Sequence, residues 1–277
     1  MKKPVLIFIM LVFCGLKAYE QAPATAGPAF DYHRDFRVIL EKTLDRTSDL
    51  YYQKLLIRFL NNDSSLTRAE TLALMIGFTE NPHYKPLEDM EKEQEIYTHT
   101  KNGEYEEALE KSKIYLQTHP LSLLINRERS FAYHQTGKKD SAKYFMDLND
   151  KIMEAMIYSG KGKKPDAPIF SLGLADGEYF IPNVGYGIEK KDTEWNKHGD
   201  FMEVIQAVNE EAVKMNFYFV IQHAKQKIDD DKANDMANKK PKKPGKKKGK
   251  ADKEQKPVTD SLPPVPVTDS IPAAPGK

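Results

Sequence analysis

The chain has 277 residues, 40% of them hydrophobic, enough to bury a sizeable core as one large domain or two small ones. Its single cysteine, Cys14, excludes an internal disulfide, so stability has to come from packing. The formal net charge of +1 hides a segregation: residues 239–256 carry a net +8 and residues 19–238 a net −9, a basic arm on an acidic body.

In chain order, residues 1–18 read as a secretory signal: Lys2 and Lys3, the apolar run from Pro4 to Leu16, then Ala18 near the expected cleavage point. As a helix that run would span roughly 20 Å, short of a bilayer core of roughly 30 Å, so export is favoured over an anchor. The expected location is periplasmic or secreted, with no transmembrane span in the mature chain. Lipidation at Cys14 is the less favoured alternative, because bulky Phe13 stands where lipidation patterns want a small residue. Cleavage removes Cys14 and thiol chemistry with it.

Residues 19–31 form an Ala- and Pro-containing leader. A helical region is expected over residues 32–158. Its first helix carries Phe36, Ile39, Leu40 and Leu44 on one face, and its second Leu55, Leu56, Phe59 and Leu60. Thr67 and Glu70 are spaced as a capping box before a helix that buries Leu72, Met75 and Phe78. Further helices are expected near residues 87–100, 104–118, 121–135 and 139–158. Within them Gly103 to Ala108 and Gly137 to Ala142 repeat one turn-into-helix pattern 34 residues apart. Glycine suits the left-handed turn at each start, and Ala108 and Ala142 allow close helix approach.

The positions Gly103, Tyr105, Ala108, Tyr115 and Pro120, then Ser130, Tyr133, Gly137 and Ala142, resemble the tetratricopeptide pattern. Ile96 replaces a usual small residue, and Glu154 stands where a closing proline is common. The resemblance implies helical hairpins that bind other proteins. By phase their inner helices place Glu93, Tyr97, Arg127, Phe131 and His134 on a concave, peptide-binding face, suited to a segment ending in a carboxylate.

Residues 159–168 read as a flexible linker, and residues 169–222 as an antiparallel β region packed on the helices, which makes the body α+β. One hairpin is expected from residues 169–174 and 178–181, with Asp176-Gly177 as its turn. A second pair is expected at 201–205 and 213–221, where Val213, Met215, Phe217, Phe219 and Ile221 alternate onto one face. Residues 223–238 continue as a polar helix, and residues 239–277 form a disordered Lys/Pro-rich tail.

The body also resembles a secreted family of Bacteroidota known as domain of unknown function 4919. The likeness rests on residues 51–67, the Gly77-Phe78 helix end, Tyr84-Lys-Pro86, Ser159-Gly160 and Glu178-Tyr179. The resemblance implies a signal peptide and a tetratricopeptide-like helical part, and it supplies no activity.

Seven histidines stand without HExxH or a close His/Asp/Glu triad, and no nucleophile elbow, phosphate loop or dinucleotide fingerprint is present. No metal, cofactor or nucleic-acid partner is expected. The sequence thus favours a non-enzymatic protein-binding scaffold of the cell envelope. The alternative is an envelope tether whose Lys239–Lys256 arm holds anionic glycan or lipopolysaccharide. A hydrolase comes third and would need a pocket with converging, pKa-shifted carboxylates. In the tail, Asp-Ser-Leu and Asp-Ser-Ile around Ser261 and Ser270 resemble sites of Bacteroidota O-glycosylation.

Overall fold

The computed structural model describes residues 30–239. The signal, the leader through residue 29, the lysine arm beyond Lys239, and Ser261 and Ser270 lie outside the described residues. Helices α1 (Tyr32–Leu44), α2 (Tyr52–Leu60) and α3 (Arg68–Phe78) come first. Asp31 caps α1 by accepting from the Arg34 amide. Thr67 and Glu70 close the expected capping box on α3, each taking an amide that the helix start leaves unpaired. Every residue from Thr71 to Phe78 is buried, so α3 is a central helix enclosed by α1, α2 and α7. Gly77 permits that approach: a Cβ there would lie 2.9 Å from Thr43 Oγ1.

Next come α4 (Pro86–Lys101), α5 (Tyr105–Leu116), α6 (Leu123–Gln135) and α7 (Lys139–Ser159). They form two helical hairpins whose turns share one geometry. Gly103 and Gly137 both have φ of +79°. The Glu104 amide reaches back to the His99 carbonyl and the Lys138 amide to the Tyr133 carbonyl, each at 2.9 Å, which is the same helix stop 34 residues apart. Ala108 and Ala142 are both buried, as the close packing of the hairpins requires. The second hairpin is latched by Ser130 Oγ donating to the Ala142 carbonyl at 2.7 Å.

Strands β1 (Ile169–Phe170), β2 (Gly187–Trp195), β3 (Phe201–Val208) and β4 (Lys214–Val220) form a sheet in the order β1-β4-β3-β2. Helix α8 (Asp176–Asn183) lies between β1 and β2 in the chain, and α9 (Gln222–Lys239) follows β4. The β3–β4 pair is antiparallel, as the alternation indicated. Phe217, Phe219 and Ile221 are buried, whereas Val213 is exposed beyond the strand end.

Three expectations need correction. The sheet is mixed, because β1 pairs with β4 in parallel. The expected 169–181 hairpin does not form. The Asp176 carboxylate instead accepts from the Gly173 amide at 2.7 Å, and α8 begins there. Gly177 is needed for room rather than for a turn, since a Cβ on it would lie 2.5 Å from Glu203 Oε2 and 2.9 Å from Phe219 Cδ2. The 159–168 segment is pinned, with the Gly162 carbonyl accepting from the Tyr218 amide of β4 at 2.8 Å. A Cβ on Gly160 would collide with the Pro168 carbonyl oxygen at 2.0 Å.

Candidate functional site

Helices α4 and α6 lie against each other; α6 packs on α8, and α4 meets the segment that leads into it through Asp89 and Glu93 and α8 itself through Tyr97. The five residues expected on one peptide-binding face divide there into two groups. Tyr97, Arg127, Phe131 and His134 line a common open groove of about 700 Å³, with Lys139, Lys143 and Met146 of α7 forming its other wall. Glu93 does not belong to it. It is buried one turn earlier on α4, under the loop that leads into α8.

The open part is amphipathic. Phe131 is 43% exposed, packs its ring edge against Tyr105 at 6.0 Å, and shares the floor with Met146, 39% exposed. Four lining side chains are cationic (Lys101, Arg127, Lys139 and Lys143) against one carboxylate, Glu128. Arg127 is already engaged. Its Nη2 donates to Glu128 Oε1 at 2.8 Å, and its guanidinium lies 5.4 Å from the Tyr179 ring centre. Tyr179 projects from α8 and also stands 6.5 Å from the Tyr97 ring. Helix α8 therefore closes one end of the face, and the groove begins where Tyr179 stops.

The closed part holds a group of acids that periodicity did not reveal. Glu93 Oε1 accepts from Ser122 Oγ at 2.6 Å and from the Tyr115 hydroxyl at 3.2 Å. Burial, with nearby Asp176 adding repulsion, raises its pKa to about 8. Asp176 is itself raised to about 6 by burial. Glu203 of β3, lying under Gly177, rises to about 8 by burial and by the Glu178 charge, and its Oε2 has no hydrogen-bond partner. On the same side His119 stacks flat on Tyr115, with ring centres 4.3 Å apart. His119 Nε2 stands 3.0 Å from both the His83 carbonyl and Asp89 Oδ1. The ring hydrogen points to the carbonyl, so Asp89 Oδ1 gains electrostatic contact without a hydrogen bond.

Converging carboxylates with raised pKa values are what a hydrolase would need, but Glu93 and Asp176 line a cavity of only about 30 Å³, and Glu203 lies outside that lining. The cavity holds about one water, and no substrate. The acids act on packing: each must stay protonated or find a donor while it is held away from water. No cluster of metal-ligating side chains occurs among the described residues. Elsewhere, the carboxylates Glu178 and Asp192 are taken up in ion pairs with Lys191 and Lys190. Ser122 caps α6 and holds Glu93 with the same hydroxyl.

No helix among the described residues is long and apolar enough to cross a membrane. No curated protein and no solved structure matches the chain. A family profile matches residues 37–230, which spans every element from within α1 to within α9. The chain therefore belongs to the family described as domain of unknown function DUF4919.

Proposed function

We propose that this protein is an exported, non-enzymatic scaffold of the cell envelope whose tetratricopeptide-like hairpins bind a partner protein in the groove beside Phe131. The observation that carries the reading is the open, partly aromatic groove between α4, α6 and α7, about 700 Å³ in volume. That size falls in the range of about 300–1,000 Å³ common for binding sites. An exposed phenylalanine next to cations, on rigid helices, suits an extended peptide more than it suits solvent. The lysines and apolar run at the start of the sequence support export.

Phe131→Ala combined with His134→Ala tests this reading. Both side chains are exposed and neither anchors α8, whereas Arg127→Ala would also unseat Tyr179. The purified double variant should lose a partner that the parent protein retains from envelope extract of the native host. Equal retention by both proteins removes the groove from the function.

A further inference from the structure

We propose that the open groove is selective for an acidic segment of its partner, a stretch of Asp and Glu residues around one large apolar side chain. This rests on the groove being a protein-binding site, and it specifies the chemistry of what enters.

Charge complementarity carries the inference. Residues 19–238 have a net charge of −9, yet the groove lining has four cations against one anion, so its sign is opposite to that of the body around it. The cations differ in how far the fold has used them. Arg127 is bound to Glu128 and Tyr179, and Lys143 holds Asp147 one turn along α7 at 2.7 Å. Lys101 and Lys139 make no ion pair among the described residues and face the groove from opposite walls.

Their positions on the helices are informative. Lys101 ends α4, where the helix dipole welcomes a cation, so helix stability alone accounts for it. Lys139 is the first residue of α7, where the same dipole opposes a cation. Helix energetics therefore leave Lys139 without a local reason, and a bound carboxylate gives it one. Phe131 and Met146 lie between the two lysines and provide the contact for an apolar side chain flanked by acids. A basic or purely apolar segment would leave both ammonium groups unpaired and partly desolvated, which discriminates against it.

The test uses fluorescence polarisation with three fluorescein-labelled twelve-residue peptides that share a central Leu-Phe pair. The flanks are Asp/Glu in the first, Ser/Gly in the second and Lys in the third. The intact protein should bind the acidic probe at least tenfold more tightly than the neutral one and should not bind the basic one. Lys101→Glu with Lys139→Glu should abolish that preference, and Phe131→Ala should weaken the acidic probe. All three positions are surface-exposed, so unchanged thermal unfolding will separate binding from folding. Neutral and acidic probes bound equally, with both weakened by Phe131→Ala, would overturn acid selectivity while leaving the groove as a peptide site. Absence of binding by every probe would overturn both readings. A doubled solution mass that returns to the monomer value in Lys139→Glu would place a second copy in the groove and likewise overturn the proposal.

Discussion

The two halves of the α4–α6 face come from the same pair of helices, yet one is sealed and the other is open. On the sealed half, the segment leading into α8 covers Glu93, Gly177 of α8 covers Glu203, and Asp176 begins α8; burial raises the pKa values of all three acids. On the open half, Phe131, Met146 and the lysines face solvent with nothing from the described chain above them. The difference shows what the hairpins need for stability and what they do not. Ala108 and Ala142 are buried between the hairpin helices while Phe131 and Met146 stay exposed, so these two groove side chains are free to serve another purpose. On the acid-lined half α8 packs both on α6 and on β2 and β3, and there polar groups are kept at an energetic cost.

The comparison is broken most directly at Gly177. Gly177→Val puts side-chain atoms into Glu203, Phe219 and Ile205, and overpacking of this kind costs about 1–3 kcal/mol. Urea unfolding should show that loss, whereas Phe131→Ala on the open half should leave the unfolding free energy within about 0.5 kcal/mol of the parent.

Acidity sharpens it next. Glu93 and Glu203 are raised from 4.5 to about 8, so between those values the folded protein holds more protons than the unfolded chain. Their contribution is full below pH 4.5 and is lost as the pH rises through about 8. Asp176, raised from 3.8 to about 6, acts with the same sign in a lower window. His223 acts oppositely. Burial lowers it from 6.5 to about 4, so acidification below pH 6.5 favours the unfolded chain. Tm should therefore climb as the pH falls from 8 toward 4.5, with His223 below pH 6.5 offsetting only one of the three acids. Glu93→Gln, which keeps an acceptor for Ser122 and Tyr115, should flatten the climb, and a slope unchanged in both Glu93→Gln and Glu203→Gln would contradict the buried-acid account.

Smaller effects test whether the two hairpins are alike. Gly103→Ala and Gly137→Ala each force a side chain into the same left-handed turn, at a cost of about 1–2 kcal/mol. Neither Cβ meets any atom within 4 Å, so the two losses should agree. Thr67→Ala removes one partner of the capping box and should cost about 1 kcal/mol in chemical denaturation.

The helical half of the fold was legible because its signals are local. Thr67 with Glu70, Gly103 with Gly137, and the stripe Leu55-Leu56-Phe59-Leu60 each specify structure within a few residues. The sheet was legible only where burial alternates, as at Phe217 and Phe219. Strand β2 is exposed along its whole length as the sheet edge, so its polar sequence carries no period-two signal. Asp176-Gly177 misled because one dipeptide serves two needs: a hairpin turn wants its backbone freedom, and α8 wants its small size. Tyr97, Arg127, Phe131 and His134, which share a helical phase, line one groove. Glu93 shares that phase, but phase cannot show that a segment 80 residues later will cover it. The raised pKa values arise from the same long-range burial and left no trace in local sequence.

The central claim is that the open half receives a partner, and site-specific photocrosslinking in the native host tests it most directly. A photoreactive residue at position 131 is compared with one at position 114, where Ile114 is 59% exposed on α5 and outside the groove. A discrete adduct from position 131 and none from position 114 is the predicted result. Equal labelling from both positions, or no adduct from position 131, would contradict it.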